Sequence, residues 1–448
     1  MHPVFAMRDL PELELQIVRE MAKPAGPRGL TQGEVARRLR PARAQPTVSR
    51  AMQRLIDAGI LEKAGSRRNA AFSLTPEATW FATPPHLRPV VSYEPERIAS
   101  YVPNKTFWLP IEAAERMKEL GRGAAGPLDP STYSRQIANR FLIDLSWASS
   151  VLEGNTYDYL DTEVLLQFGE RAAGHDVLEA VMILNHKRAI DYILERVGED
   201  VFEMNFVQRL HALLMRDLIE PDKLGTIRRD NVRIGASAYH PSGDYIQLRA
   251  DLGSLLWKAG QIDDPAEACF FLLAGASYLQ AFSDGNKRVG RLMCNVPLLA
   301  AGMPPLAFVG MDKANYLTGI IAFYERADAT PLAEAILEGY EASAPSYRAA
   351  MAVQRVPRSV ELRERDRIAS LVRACVRSRL DPEAREAFLD DSLKDLAPPD
   401  REVISETVQE ALEALTPENA IVWDVPEAEA EAWQQAQGAH DAEPGWEP

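Results

Sequence analysis

The sequence is poor in cysteine and lacks any long hydrophobic run. Among its 448 residues there are three cysteines, Cys269, Cys294 and Cys375, which are far apart and form no CxxC pair. This spacing argues against a disulfide framework or a structural zinc site, so we expect reduced core residues. No apolar stretch approaches the roughly twenty residues that span a membrane. The first residues lack the basic cluster and apolar stretch of a secretion signal, so a cytoplasmic protein without a membrane partner is expected.

Positive charge is scarce overall but is concentrated in one segment. The net charge is −15, yet residues 1–76 contain thirteen Lys or Arg against seven Asp or Glu, a net +6, which leaves −21 on the remainder. An evenly acidic chain would disfavour nucleic acids, because neutralising phosphates requires local Lys and Arg. Residues 1–76 therefore carry a net charge of opposite sign to the rest of the chain.

The N-terminal residues follow the pattern of a small DNA-binding fold. Thr31 and Glu34 have the spacing of a capping box at the start of a helix. Helical periodicity and β-prone composition predict three helices and then two strands, at residues 10–24, 30–40, 45–60, 60–64 and 70–75. This order of elements resembles a winged helix-turn-helix domain, to which we assign residues 1–80.

The third predicted helix and the predicted wing carry side chains that read base edges and phosphates. These residues are Gln45, Thr47, Ser49, Arg50, Gln53, Arg54, Arg67 and Arg68. Together with the local positive charge, they favour binding of duplex DNA. The alternative is a protein-docking module whose basic face pairs with the acidic remainder of the chain.

Helical patterns dominate the rest of the sequence, which predicts a mainly α fold. Residues 81–110 are rich in Pro and aromatic residues and are interpreted as a packed connector before a domain at 111–345. Within that domain, 232–248 has two β-prone pieces around a Pro/Gly turn and predicts a β-hairpin. A helical region at 346–425 follows, and the acidic segment 426–448 is expected to be disordered.

The most informative stretch is LQAFSDGNKRVGRLMCN at 279–295, where an apolar helix meets a loop and a second helix. Unpaired amides at the start of the second helix favour an anion there. Arg288 and Arg291 lie three residues apart, on one helix face, and can grip phosphate oxygens. Asp284 is a candidate Mg²⁺ ligand. Alternatively, the helix is merely amphipathic, and its arginines are solvated or paired with acids.

These residues resemble the Fic (Fido) family motif, H-x-F-x-D/E-G/A-N-G/K-R-x-x-R. Seven of the eight constrained positions agree: Phe282, Asp284, Gly285, Asn286, Lys287, Arg288 and Arg291. The eighth, where the motif has histidine, is Gln280. SSVLEGN at 149–155 is similar to the family's inhibitory motif, LHALLM at 210–215 to its L-H-x-x-L helix, and 225–241 to its flap hairpin. The resemblance covers roughly residues 100–345 and implies a Fic-type helical bundle with a β-hairpin flap.

The resemblance implies an ATP site with Mg²⁺ and transfer of AMP to a hydroxyl side chain. Phe282 would anchor the loop, Asp284 would bind the metal, and Asn286 with the loop amides would hold the α-phosphate. Arg288 and Arg291 would take the β- and γ-phosphates. The implied nucleotide-binding set is Gly285, Asn286, Lys287, Arg288, Gly290 and Arg291.

Regulation and target binding are also implied by the resemblance. Glu153, between Ser149 and Gly154 in the inhibitory motif, would pair with Arg291 and block the γ-phosphate. The flap would hold an extended target segment by strand addition. Its implied residues are Ile234, Gly235, Tyr239 and His240.

Gln280 replaces the motif histidine, the family's general base. An amide has no basic site near neutral pH, and losing such a base costs about 10²- to 10⁴-fold in rate. His240 in the flap is one candidate substitute, whereas His186 and His211 fit helical core or surface positions. Lys287 occurs in a family branch that transfers phosphate, so the transferred group stays open.

Two hypotheses follow from the sequence. One is an autoinhibited, slow nucleotidyl transferase that modifies itself or another protein. The other is a catalytically inactive Fic scaffold whose nucleotide occupancy or oligomeric state, a homodimer being one option, tunes DNA binding. Gln280 favours the second, and the phosphate-binding residues with Glu153 favour the first.

Overall fold

The protein is mainly helical, as the sequence predicts, with two small sheets. A computed structural model describes residues 2–23, 29–65, 70–121, 135–196, 201–353, 360, 363–417 and 419–440. The chain forms two compact units, residues 1–354 and 355–448. Within the described ranges, none of the helices combines the length and apolar character needed to span a membrane.

The first unit begins with a small module of helices around a three-stranded sheet, the N-terminal module. Its elements are α1 (Pro3–Ala6), α2 (Glu12–Ala22), β1 (Leu30–Thr31), α3 (Gln32–Arg38), α4 (Gln45–Asp57), β2 (Leu61–Ala64), β3 (Ala71–Leu74) and α5 (Pro76–Ala82). The strands are antiparallel in the order β1-β3-β2. The capping box at Thr31 and Glu34 is present, with both reciprocal bonds. Val35, Val48 and Leu55 are fully buried in the module's own core.

A connector joins this module to the helical bundle and is packed along its length. It contains β4 (Val91–Ser92) and α6 (Glu96–Ala99). The buried ammonium of Lys258 donates to three backbone carbonyls at the end of α6, those of Ile98, Ala99 and Tyr101, at 2.6–2.7 Å. A lysine at a helix C-terminus satisfies the last carbonyls and opposes the helix dipole.

The bundle is built around one helix that is buried on nearly all sides, α13. The elements are α7 (Ile111–Gly121), α8 (Arg135–Leu152), α9 (Tyr159–Phe168), α10 (Val177–Leu194), α11 (Met204–Met215), β5 (Tyr239–His240), α12 (Tyr245–Ala259), α13 (Pro265–Leu279), α14 (Asn286–Met293), α15 (Asn295–Ala300), α16 (Lys313–Arg326) and α17 (Thr330–Val353). A helix that is apolar all round belongs in the interior. Its CFFLLAGASYL run therefore places the end of α13 and the start of α14 deep in the bundle.

The expected hairpin at 232–248 does not form. The first β-prone piece contains a two-residue strand, β5, and the second is the start of α12. β5 instead pairs in parallel with β4 of the connector, with Val91 opposite Tyr239. Asp244 caps α12 by accepting from the amides of Ile246 and Gln247, so this local signal directs the second piece into a helix.

The second unit has its own hydrophobic core and includes part of the segment that we expected to be disordered. Its helices are α18 (Arg365–Ser378), α19 (Pro382–Ser392), α20 (Pro398–Glu413) and α21 (Glu427–His440). The disorder prediction is therefore wrong for 427–440, because Ala430 and Trp433 are buried against this core. The indole Nε1 of Trp433 also donates to the carbonyl of Leu412 at 3.3 Å. Residues 441–448 lie outside the described part of the chain.

We expect Trp433→Ala to destabilise the second unit by about 3–5 kcal/mol, because a buried aromatic ring is replaced by a cavity. Hydrogen exchange of the α20 amides in urea would report the loss. The matched control is Trp257→Ala in the first unit, since Trp257 is 62% exposed. Unchanged α20 exchange in the Trp433 variant would contradict the packing of α21.

Candidate active site

The site is the loop between α13 and α14. Two residues with left-handed backbone conformation lie at its two ends. Gln280 ends α13 with φ +51°, and Gly285 precedes α14 with φ +77°. A Cβ on Gly285 would lie 2.6 Å from the sulfur of Met215. Both the backbone conformation and the close approach of α11 therefore require glycine at this position.

Asn286 holds the loop closed from inside. Its Oδ1 accepts from the amide of Phe282 at 2.8 Å, and its Nδ2 donates to the Phe282 carbonyl at 2.7 Å. The same Nδ2 donates to Oε1 of Gln280 at 3.2 Å, while Nε2 of Gln280 donates to the Ser277 carbonyl at 2.7 Å. The amide of Gln280 thus supports the loop.

His211 fastens the loop to α11. Its ring stacks on Phe282, with centroids 4.0 Å apart. Nδ1 accepts from the amide of Gly225 at 2.9 Å, so Nε2 carries the proton and donates to the carbonyl of Asp284 at 3.1 Å. Burial lowers the pKa of His211 to about 4, so the ring is neutral at pH 7. His211 is a core histidine, one of the two options left open by its helical pattern.

Arg228 is a buried positioning residue that sequence reasoning missed. Its Nε donates to the carbonyl of Gln280 at 2.6 Å, its Nη1 to that of Asp230 at 2.5 Å, and its Nη2 to that of Ser242. Burial lowers its pKa. Arg228 thereby joins the flap segment, defined here as residues 225–241, to the loop and to the residues before α12. Nothing in the sequence distinguishes it from its neighbour Arg229.

Arg288 is buried with unused donors. Its Nη2 donates to Oδ2 of Asp284 at 3.1 Å. Its Nε and Nη1 are buried and have no hydrogen-bond partner among the described residues. Buried donors without partners cost free energy, so they fit an anion that supplies the missing acceptors.

Arg291 is fully buried and forms an ion pair with Glu153 at the end of α8. Its Nη2 lies 2.6 Å from Oε1 of Glu153, and its Nε donates to Oγ of Ser149 at 2.9 Å. Burial alone would raise the pKa of Glu153, but Arg291, Lys287 and Arg288 outweigh burial and lower it to about 2. Glu153 is therefore ionised at pH 7, and we call this contact the Glu153–Arg291 latch.

The helix end at Glu153 explains why a glycine follows it. The amide of Gly154 donates to the carbonyl of Val151, and that of Asn155 to the carbonyl of Ser150, both near 3.0 Å. Gly154 has φ +101°. This is a Schellman ending, in which a left-handed residue stops the helix and Glu153 occupies the cap position.

His186 supports the latch from behind and was given no such role by sequence reasoning. Its Nε2 lies 2.8 Å from Oγ of Ser149, and its Nδ1 lies 2.8 Å from the carbonyl of Met182. Nδ1 must be the donor, because a carbonyl only accepts. Nε2 therefore accepts a hydrogen bond from the Ser149 hydroxyl. That hydroxyl in turn accepts from Arg291. Burial lowers the pKa of His186 to about 3, so it is a neutral core histidine.

A cavity of about 340 Å³ opens beside the loop and the latch. The motif loop and Lys287 form one wall, and Glu153 lies at the cavity. The flap segment and α16 form the opposite walls with mostly apolar side chains. The lining residues are Glu153, Val232, Arg233, Ile234, Gly235, Ala236, Gln280, Ser283, Asp284, Gly285, Asn286, Lys287, Leu317, Ile320, Ile321 and Tyr324.

Two of the expected flap residues, Tyr239 and His240, do not line this cavity. Tyr239 is fully buried, its ring stacks on Tyr278, and its hydroxyl donates to the Tyr278 carbonyl, so it is a core residue. His240 is exposed and lines a separate shallow depression with Ser92 and Asp244. His240 is therefore not among the residues that line the cavity beside Gln280. Gly290 is also in the interior, against the carbonyl of Leu273 and α13.

The expected DNA-contact residues of α4 are on the surface. Gln45, Thr47, Ser49 and Arg50 are exposed. Arg54 is also exposed, but its Nε donates to the buried carboxylate of Glu14 at 2.8 Å. Arg67 and Arg68 lie outside the described residues.

Residues 201–298 match the Fic/DOC family model. This segment is therefore similar to the Fic/DOC family. Two curated relatives are the protein adenylyltransferase Fic of Nematostella vectensis, 25% identical over 179 residues, and fic-1 of Caenorhabditis elegans, 23% identical over 230 residues. The first match covers 38% of this chain and 40% of the relative, and the second 50% and 44%. The chain thus spans less than half the length of these relatives.

Solved Fic structures are also similar to the chain. A Fic family protein from Desulfovibrio desulfuricans G20 is 20% identical with a TM-score of 0.47, covering 70% of this chain and 92% of that one. Fic-1 from C. elegans is 20% identical with a TM-score of 0.45, covering 54% and 71%.

The buried neutral state of His186 predicts a pH dependence of stability. Its pKa is about 3 in the folded protein against an ordinary 6.5, so the unfolded chain takes up the proton first as pH falls. The free energy of unfolding should therefore decrease from pH 6.5 downward, by up to about 1.4 kcal/mol per pH unit for one proton. Glutamine keeps an acceptor for Ser149 but does not titrate. We expect urea unfolding of His186→Gln to show a shallower slope than wild type between pH 7 and 5.

The matched control is His86→Gln, because His86 is exposed. It should keep the wild-type slope. Identical slopes for the wild type and His186→Gln would show that His186 is not buried in the neutral form.

Proposed function

We propose that the protein is an ATP-binding, Fic-type protein adenylyltransferase that is restrained by Glu153 and slowed by Gln280. The Glu153–Arg291 latch at the cavity carries this proposal, because a carboxylate there occupies a guanidinium suited to a phosphate. The relatives' name, protein adenylyltransferase, supports AMP as the transferred group.

The residues in and beside the cavity fit a nucleoside triphosphate with Mg²⁺. Arg288 has buried donors that need acceptors, and the unpaired amides at the start of α14 add to them. Asp284 is 61% exposed at the cavity and would hold the metal. The described residues contain no cluster of three His, Cys, Asp or Glu that could hold a metal. The ion would therefore depend on phosphate oxygens and water, as Mg²⁺ usually does.

The proposed reaction forms a bond between a target hydroxyl oxygen and the α-phosphorus and breaks the bond to the β-phosphate, releasing pyrophosphate. Arg288 and Arg291 would stabilise the negative charge that develops on the leaving phosphates. Arg291 can do so only after Glu153 has moved away. The hydroxyl proton passes to solvent, because Gln280 cannot accept it.

The transfer proposal predicts a stepwise gain of activity. Glu153→Gly should bind ATP with Mg²⁺ more tightly than wild type in calorimetry, since a competing carboxylate is removed. Adding Gln280→His should raise the transfer rate by about 10²- to 10⁴-fold, the contribution of a general base. Intact mass after incubation with ATP labelled at the α- or γ-phosphate identifies whether AMP or phosphate is added.

Glu153→Gln is the control that removes the charge without altering the helix end, and it should also bind more tightly than wild type. Arg288→Ala in the Glu153→Gly background should lose binding. If calorimetry detects no binding of ATP or ADP to the Glu153→Gly variant, the proposal is refuted. Tight binding without transfer, even with Gln280→His, would instead favour a nucleotide-binding regulator.

A second candidate function is a DNA-binding regulator built on an inactive Fic scaffold. The observation that favours it is the exposed outer face of α4. The N-terminal module contacts the bundle through α1 and α5: Val4 and Phe5 pack on Ala335, and Glu77 pairs with Arg326 at 2.7 Å. This docking leaves Gln45, Thr47, Ser49 and Arg50 exposed. The order of helices and strands in the module supports the winged-helix interpretation.

For this candidate we expect duplex DNA binding that weakens steeply with salt. Arg50→Ala should weaken it for all sequences and lower the slope of log K against log salt by about one. Arg19→Ala on α2 is the control, since Arg19 is exposed outside this face. Fluorescence anisotropy over a salt series tests both variants, and no binding at low salt would exclude the candidate.

A further inference from the structure

The buried carboxylate of Glu325, at the end of α16, accepts hydrogen bonds from both the flap segment and the N-terminal side of the chain. We call this set of contacts the Glu325 joint. Its Oε1 accepts from the hydroxyl of Ser237 at 2.6 Å and from the amide of Ala238 at 2.8 Å, both in the flap segment. Its Oε2 accepts from Nε1 of Trp80 at 2.6 Å and from Nη1 of Arg88 at 3.2 Å. The Glu325 side chain is 2% exposed.

The four donors make this joint strong and intolerant of partial loss. A buried carboxylate is stable only when its oxygens are bonded, and bonds to a charged acceptor are stronger than neutral ones. Among the described residues that bond to Glu325, only Arg88 supplies an opposite charge, at 3.2 Å. The neutral donors Trp80 and Ser237 therefore carry part of the compensation. Removing a donor on one side disturbs the carboxylate that the other side shares.

The flap side of the joint leads directly to the cavity. The amide of Ser237 donates to the carbonyl of Ile234, and the hydroxyl of Ser237 accepts from the amide of Tyr239. Ile234 lines the cavity, as does Tyr324, the residue before Glu325. A shift of Ser237 would therefore move a cavity wall.

The module side is equally well anchored. Trp80 lies on α5 of the N-terminal module, and the guanidinium of Arg88 lies 4.5 Å from the centre of its ring. Nε of Arg88 also donates to the carbonyl of Thr83 at 2.8 Å, at the end of α5. Trp80 and Arg88 thus present their donors to Glu325 as one unit, and their position depends on how α5 is docked.

We propose that Glu325 is a positioning residue for the flap segment, through which the N-terminal module sets the shape of the cavity. The inference rests on the proposed function only in taking that cavity as the nucleotide site. Docking of the module favours the flap position seen here, and undocking releases it. By linkage, a nucleotide that prefers this flap position also favours docking, to the same extent.

The test uses the whole 448-residue chain and measures hydrogen exchange of the flap amides without any ligand. Trp80→Phe removes the indole donor and keeps an aromatic ring in the module. We expect about tenfold faster hydrogen exchange of the flap amides, including that of Ala238, as for loss of one hydrogen bond to a charged group. Glu325→Gln should do the same, because an amide has one acceptor atom and cannot serve both sides.

Glu77→Gln is the matched control. Glu77 also joins the N-terminal module to α16, through Arg326, but it has no bond to the flap segment. It should leave flap exchange unchanged, because the Glu77–Arg326 pair is about a third exposed and contributes little to the docking free energy. Ser237→Ala and Trp80→Phe should be non-additive when combined, because they share one carboxylate. Equal flap exchange in Trp80→Phe and Glu77→Gln would overturn the proposal.

A second readout separates this proposal from the nucleotide assignment. In the Glu153→Gly background, Trp80→Phe should weaken ATP binding severalfold, whereas Glu77→Gln should not. If no variant binds ATP but Trp80→Phe still loosens the flap, the nucleotide site fails and the positioning role stands. If ATP binds all variants equally and the flap exchange is unchanged, the positioning role fails and the nucleotide site stands.

Discussion

The burial of one guanidinium, that of Arg291, constrains the rest of the site. A charge without solvent must be balanced by an opposite charge and by acceptors. Glu153 supplies the charge and Ser149 an acceptor, both from α8, and His186 fixes the Ser149 hydroxyl from α10. A phosphate could replace Glu153 as the opposite charge. If neither were present, the buried guanidinium of Arg291 would lack a counter-charge. The same physics that stabilises the resting state therefore makes Glu153 a competitor of an anionic ligand.

The loop beside Arg291 is held mainly by side chains that bond to backbone. Asn286, His211 and Arg228 each satisfy amides or carbonyls of the loop and of the segments around it. Such bonds fix the path of the chain rather than the identity of its side chains. This explains how the loop keeps its shape with Gln280 at the position where the similar Fic motif has histidine. The Gln280 amide itself bonds to Ser277 and Asn286.

The flap segment is not an independent hairpin but part of a joint between elements. β5 pairs with the connector, Tyr239 is locked into the core, and Ser237 shares Glu325 with Trp80. A segment that borrows its hydrogen bonds from a neighbouring module depends on that module for its position. This dependence is the physical basis of the coupling that we propose between the N-terminal module and the cavity.

Local sequence signals were enough to predict much of the secondary structure and part of the site. The capping box at Thr31, the loop between the two helices of the 279–295 stretch and the three-residue spacing of Arg288 and Arg291 depend on neighbouring residues, which the sequence displays directly. The tertiary structure alone decided the roles of His186, Arg228 and Glu325, the pairing of β5 with β4 and the packing of the helix at 427–440. The hairpin was lost partly for a local reason, because the cap at Asp244 directs the second β-prone piece into α12. Partners of Arg228 and Glu325 lie far along the chain: Arg228 and Gln280 are 52 residues apart, and Glu325 and Trp80 are 245 apart. Which buried donor meets which acceptor is settled only when the helices pack.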